Sequence, residues 1–402
     1  MASIRPSTLL LRVDGFGWQD CLATGPGSAI LGSLLFSALF PAPMSVKFLL
    51  RVAGTLLLAW AAAAACVALH TPLPWMLGPL VATSVLSMAG APTESWGPLR
   101  NGGQWAIGAA LGLYFTPEVS ALVGSLWWAI VLGIGWALLL GWGFGAWLYR
   151  LHAPRMHGVP ASMLRSTSYF AGAIGAASEM TLLSERENAR TDLVAASHSL
   201  RLLIVTITIP FALQWSGLQG LDILTPTVRD VSWPGLALLA LLTGAGALVM
   251  DRLGRANPWF MGAMLVSMAV TMAGLHLSAV PQAVVNAAQL VIGVSLGVRF
   301  RAEFLHTAPR WLASVAVGTF GLMGICAAFA AVLAWATGLP WVTLLLGTSP
   351  GGITEMAITA KVLQLGVPVV TAFQVCRLIA VLMLVGPMFR RIYPPTEGGS
   401  AI

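Results

Sequence analysis

Charge is scarce in this chain: 21 basic and 14 acidic residues are spread over 402, against 57% hydrophobic residues. So little charge cannot clothe a soluble globule, and a mean hydropathy of +0.85 places the chain in a bilayer. The alternation of a lipid-facing barrel strand is also missing, which leaves helices as the spanning element. The four cysteines have no paired spacing, which excludes a disulfide framework and a zinc site. Cys66, Cys326 and Cys376 lie in apolar segments and read as small hydrophobes. The six histidines lack the acidic or cysteine partners of a metal centre, so no metal, cofactor or enzymatic step is expected. The basic residues stand singly in loops, so the net charge of +7 is assigned to helix orientation and no direct nucleic-acid contact is expected.

What the chain does have is long uncharged runs and two copies of one pattern. Val52–Leu69, Val119–Tyr149 and Trp311–Thr354 carry no charge and reach or exceed the roughly 18–20 residues that cross about 30 Å of hydrocarbon. Ser178-Glu179-Met180 is followed by Arg201, and Thr354-Glu355-Met356 by Arg377, with 22 residues from acid to base in both cases. Pro74-Trp75-Met76-Leu77-Gly78 recurs as Pro258-Trp259-Phe260-Met261-Gly262 at an offset of 184. Gln104, Gly108, Gly112, Phe115 and Glu118 recur as Gln289, Gly293, Gly297, Phe300 and Glu303 at an offset of 185. The glycines are spaced G-x-x-x-G, a signature of close helix packing.

These repeats predict an all-α polytopic membrane protein of two inverted repeats, with about ten spanning helices and two broken or re-entrant segments. The first repeat covers 47–215, with segments near 52–69, 74–91, 103–115, 119–149, 160–188 and 191–215. The second covers 234–391, near 235–250, 258–275, 284–298, 311–336, 341–364 and 368–389. Residues 216–233 read as a linker, 1–46 as an N-terminal extension without assigned function, and 392–402 as a tail. If the fifth segment of each repeat dips in and returns, the loop charges from Lys47 and Arg51 to Arg390 and Arg391 fall on the cytoplasmic side. Only Arg229 and Lys361 then fall outside. Both termini are cytoplasmic on this count.

The polar segments carry the chemistry. In Thr348-Ser349-Pro350-Gly351-Gly352-Ile353-Thr354-Glu355, a donor-lacking proline and two flexible glycines predict a broken helix that restarts near Thr354. The new N-terminus would offer free N–H groups to an anion. Gly172, Gly175 and Ser178 mark the matching stretch, expected to be less broken because it lacks the proline and the double glycine. Glu179 and Glu355 are candidate cation or proton carriers, since a carboxylate in a membrane segment points to function. Arg201 and Arg377 sit in apolar runs, either paired with the Glu of their own repeat or contacting a solute anion. Ser168, Gln374 and His198 are candidate cavity-lining residues, with His198 either a proton relay or simply hydrogen-bonded.

The repeated Pro-Trp element, the G-x-x-x-G pairs and Pro350-Gly351-Gly352-Ile353-Thr354-Glu355-Met356, with Arg377 beyond, resemble the bacterial membrane AbrB family, in which an AbrB-type unit is duplicated. The resemblance covers residues 50–391. It implies labels such as ammonia monooxygenase or transcriptional regulator, including regulation of another gene's expression, although neither a metal centre nor a DNA-reading module is visible in the residues. The chain does not resemble the small soluble DNA-binding protein that shares the name. More widely it is similar to secondary transporters with inverted repeats, such as the cation/proton antiporter and anion transporter superfamily. That likeness implies broken elements meeting at mid-membrane, an inner-membrane location and, by analogy alone, a homodimer. The expectation is an ion-coupled transporter of a small, anionic solute, with a membrane sensor acting through a partner as the alternative and a membrane monooxygenase ranked below both.

Overall fold

The computed structural model describes residues 45–156, 158–217, 230–300 and 308–394, which are helical throughout and contain no strand. The expected extension before residue 45, most of the 216–233 linker, Glu303 and the tail beyond residue 394 lie outside the described residues. In chain order the helices are α1 (Val46–Ala68), α2 (Pro74–Met88), α3 (Gly97–Gly112), α4 (Pro117–Ser125) and α5 (Trp127–His152). They continue as α6 (Ala161–Gly172), α7 (Ala177–Arg186), α8 (Thr191–Ser216), α9 (Trp233–Arg252) and α10 (Pro258–Met272). The last are α11 (Gln282–Gly297), α12 (Pro309–Thr337), α13 (Trp341–Thr348), α14 (Ile353–Val362) and α15 (Val367–Ile392). Residues from Arg51 onward form one compact unit. The described part of the unit before it is the first turn of α1, where Ser45 Oγ accepts from the Phe48 N–H at 3.2 Å.

Among the described residues, six helices are long and apolar enough to cross a membrane: α1, α5, α8, α9, α12 and α15. The pair α3–α4, bent by 90°, adds a seventh candidate, and α2, α10 and α11 are shorter apolar helices. Length and composition therefore account for six or seven of the ten crossings expected. The expected 119–149 helix is divided. Thr116 caps α4 by accepting from Val119 N–H at 3.3 Å, and α4 ends before α5 begins at Trp127. An unbroken 31-residue helix would run about 46 Å, well beyond the hydrocarbon core. Trp127, Trp215, Trp233 and Trp335, all exposed, lie at or near the ends of their helices, where an indole suits a membrane interface.

Two groups of helices pack as bundles. In the first, α3 lies on α10 and α2 on α11, with α9 against α10 and α3 against α11. The G-x-x-x-G glycines make the first two contacts, as their spacing implied. A Cβ on Gly112 would stand 2.6 Å from the Met264 carbonyl oxygen, and one on Gly293 would stand 2.5 Å from that of Met76. Gly108 likewise faces Phe260, and Gly297 faces Leu80 and Thr83. Each glycine pair thus receives the Pro-Trp helix from the other half of the chain. Ser267 Oγ adds a 2.8 Å hydrogen bond to the Ala109 carbonyl, joining α10 to α3.

The second bundle contains α5–α8 and α12–α15. Three of its large aromatics bond across helices: Tyr169 OH donates to the Val385 carbonyl (3.0 Å), Trp311 Nε1 to Ser197 Oγ (2.8 Å), and Trp341 Nε1 to the Ala327 carbonyl (2.9 Å). Its α8 and α15 are the most enclosed spans, with 61% and 50% of their apolar windows buried against 17–33% for the other four. Those are the two helices that carry Arg201 and Arg377.

Close glycine contact makes a direct prediction. Gly293→Val should cost about 1–3 kcal/mol by overpacking α2 and lower the thermal midpoint of the purified protein. Gly321→Ala, at a glycine with open space around it inside α12, should be neutral or gain up to about 1 kcal/mol. Differential scanning fluorimetry in detergent checks both.

Candidate functional site

Two helices stop in the second bundle and restart after four intervening residues. α6 ends at Gly172 and α7 begins at Ala177; α13 ends at Thr348 and α14 begins at Ile353. The break after Thr348 follows from its residues: Pro350 keeps Ser349 in extended conformation (φ −61°, ψ 148°). The break after Gly172 lacks a proline yet is equally long, so the expectation of a lesser break is corrected. There α6 lies so close to α5 that a Cβ on Gly172 would run into the backbone of Gly141 and Gly145, and Ala173 turns extended (ψ 139°).

Each break exposes carbonyls on one side and amides on the other, and an arginine takes the carbonyls. Arg201 Nη1 donates to the carbonyls of Ala171 (3.4 Å) and Gly172 (3.3 Å), and its Nη2 to that of Ala173 (2.8 Å). Arg377 Nη1 donates to the Ser349 carbonyl and Nη2 to that of Gly351 (2.8 Å). Both guanidiniums are buried, at 3% and 6% exposure. The negative end of a helix dipole and several charge-assisted hydrogen bonds offset a burial cost of at least about 2.5 kcal/mol. Neither arginine forms an ion pair with a carboxylate. The ion pairs among the described residues are Arg51–Glu94, Arg190–Asp192 and Arg390–Glu187, so the alternative of a Glu–Arg pair within each repeat is set aside.

Beside each arginine stands one further polar side chain. His198 Nδ1 lies 2.7 Å from Arg201 Nη2, and its Nε2 lies 2.9 Å from the Phe170 carbonyl oxygen. Gln374 Oε1 accepts from Arg377 Nη2 at 2.6 Å, while its Nε2 donates to the carbonyls of Leu346 (2.7 Å) and Ser349 (3.4 Å). Phe170, Ala173, His198 and Arg201 each precede their counterparts Leu346, Ser349, Gln374 and Arg377 by 176 residues.

The amide ends meet a cavity. Neither α7 nor α14 has a side-chain cap, and both begin at a cavity of about 130 Å³. Gly175, Ala176 and Ala177 line it from the first break and Pro350–Glu355 from the second, with His198, Arg201, Leu202 and Arg377 between them. The opposite wall comes from the first bundle: Gln104, Asn257, Leu296 and Arg299. Gln104 Nε2 donates to Asn257 Oδ1 at 3.1 Å, and Arg299 is exposed, so the cavity is open on that side. Glu355 is 6% exposed and folds back over Gly352, where any Cβ would collide with its carboxylate. Thr354 lines the cavity beside it.

The remaining candidates fall elsewhere. Glu179 sits half-buried in the first turn of α7 but does not line this cavity, and Ser178 belongs to the same turn. Gln374 is enclosed behind Arg377. Ser168 is fully buried, its hydroxyl without a partner and away from the cavity. Ser349 is engaged through both its carbonyl and its hydroxyl, the latter donating to the Leu346 carbonyl at 3.1 Å. Sequence reasoning missed Asn257, whose signal was its place before the Pro-Trp element, where it adopts a left-handed φ of 50°. It noted Gln104 only as a repeat match and Arg299 only as a loop charge. Among the described residues no three His, Cys, Asp or Glu side chains gather to hold a metal ion.

Known proteins match this chain over most of its length. The family described as "Transition state regulatory protein AbrB" matches residues 75–393. "Uncharacterized protein YhjN" of Bacillus subtilis (strain 168) is 24% identical over 346 residues, covering 79% of this chain and 87% of the relative. "Putative regulator AbrB" of Escherichia coli (strain K12) is 26% identical over 329 residues, covering 81% of this chain and 91% of the relative. The family match runs through both breaks, both buried arginines and both glycine pairs, and the chain belongs to the AbrB family.

Proposed function

We propose that this protein is an inner-membrane secondary transporter of a small anion, coupled to a cation or proton at Glu355. The observation that carries the reading is the single cavity on which two helix breaks, two buried arginines and one carboxylate converge. The amides at the starts of α7 and α14, the latter already covered by the Glu355 carboxylate, suit a negative group, and both helix dipoles favour negative charge there. Arg201, Arg299 and Arg377 outnumber Glu355 around the cavity, so its field attracts anions. Broken helices that present their ends to a shared site are the device by which secondary transporters hold solute and ion. This reading assigns no bond-making step and no cofactor.

We further infer two inverted repeats, supported by equivalent hydrogen bonds 176 residues apart and by the exchanged glycine contacts. With α6–α7 and α13–α14 re-entering from opposite faces, the six long helices together with α2, α3, α10 and α11 make ten crossings and leave both termini cytoplasmic. A 15-residue helix rises only about 23 Å, so the bilayer would thin around the short spans. Sliding the second bundle against the first would turn the cavity toward one side and then the other.

The name of the Escherichia coli relative favours a second reading, a membrane regulator that acts on gene expression through a partner. The two readings separate in a thermal-stability screen of small organic and inorganic anions. A bound anion at about 100 times its dissociation constant should add about 2.7 kcal/mol to the wild type and much less to Arg377→Ala. A broad screen without a hit, together with specific capture of a cytoplasmic protein, would favour the regulator.

Glu355→Gln should abolish coupled flux of any anion found this way in proteoliposomes while leaving cooperative unfolding intact. Glu179→Gln should retain most of the flux, because Glu179 does not line the cavity. Unchanged flux in Glu355→Gln removes the coupling role.

A further inference from the structure

One titratable side chain at the cavity has no part in the transport reading. His198 is 3% exposed, and both ring nitrogens are engaged. A guanidinium can only donate, so Nδ1, 2.7 Å from Arg201 Nη2, must accept. A carbonyl can only accept, so Nε2, 2.9 Å from the Phe170 oxygen, must carry the hydrogen. The partners therefore select one tautomer of the neutral ring. A second proton would set an N–H on Nδ1 against the N–H of a buried cation.

Gln374 solves the same problem with different chemistry. Its Oε1 accepts from Arg377 and its Nε2 donates to Leu346, at positions 176 residues beyond His198, Arg201 and Phe170. A neutral imidazole with hydrogen on Nε2 and a carboxamide each offer one acceptor atom and one donor nitrogen on a rigid fork. We propose that His198 is a positioning residue, a neutral clamp that holds Arg201 on the carbonyl end of α6 as Gln374 holds Arg377 on α13, and not a proton carrier. The charged groups lining the cavity near it are Arg201 on its own helix, Arg377 on α15, Arg299 after α11 and Glu355 on α14. Arginine keeps its proton in proteins. Among the described residues, Glu355 is therefore left as the one lining side chain able to exchange a proton. The consequence for solute binding rests on the anion reading above, whereas the tautomer does not.

The test uses the purified full-length chain with 15N-labelled histidine. The His198 signals, assigned by their loss in His198→Gln, should show the neutral Nε2–H tautomer from about pH 5 to 8, where an ordinary histidine titrates. Titration within that range, or hydrogen on Nδ1, overturns the clamp. In a second arm, nitrate and acetate serve as probe anions in thermal-shift titrations. The apparent Kd should stay close to wild type in His198→Gln and weaken about tenfold in His198→Ala, the loss of one charge-assisted hydrogen bond. Loss of anion binding or of folding in His198→Gln also overturns the proposal. If neither anion stabilises the wild type, the anion reading is weakened for these probes, and the nitrogen spectrum alone decides the clamp. If His198→Ala does not fold, His198→Gln and the spectrum carry the decision.

Discussion

The arrangement of the second bundle depends on one interaction made twice, a buried guanidinium closing the carbonyl end of a broken helix. Neither partner is tolerable alone. Carbonyls released inside an apolar bundle cost several kcal/mol when nothing donates to them, and a bare arginine at that depth is equally unfavourable. Together, Arg201 with Ala171–Ala173 and Arg377 with Ser349 and Gly351 satisfy both needs.

That closure also sorts polarity. Once the arginines cover the carbonyl ends, the amide ends of α7 and α14 face the cavity with positive charge behind them, that of α14 with the Glu355 carboxylate folded over it. Ion pairing contributes little here. The pairs formed among the described residues lie in partly exposed positions, where such contacts are worth at most about 1 kcal/mol. The first bundle supplies a contrasting wall, held by backbone approach at Gly112 and Gly293 together with hydrogen bonds such as Ser267 to Ala109, and among the described residues it presents Gln104, Asn257, Leu296 and Arg299 to the cavity.

Much of this was legible before any coordinates. Scarce charge and long uncharged runs predicted helices, Ser349-Pro350-Gly351-Gly352 predicted a break, and the G-x-x-x-G pairs predicted close packing. These signals are local, because each depends on a residue's own backbone freedom or on neighbours one helical turn away. Other features were hidden for the opposite reason. The break after Gly172 depends on α5 pressing against it, and the interruption at Leu126 has no proline or glycine at its centre to announce it. Glu179 and Glu355 look equivalent in the chain, yet only Glu355 reaches the cavity. His198 and Gln374 share no chemical likeness as residue types, and their common task emerges only from their bonds.

The amino-acid sequence by itself determined that this is an all-helical, membrane-type chain with a repeated acid, base and helix break, because composition, periodicity and proline chemistry act over short distances. Tertiary structure alone decided what each charge is for. Arg201 lies about 28 residues from the carbonyls it caps, and Arg299 lies far along the chain from both breaks it faces. Whether such a side chain meets a carboxylate, a carbonyl or an open cavity is set by how the helices pack, and no local pattern encodes that.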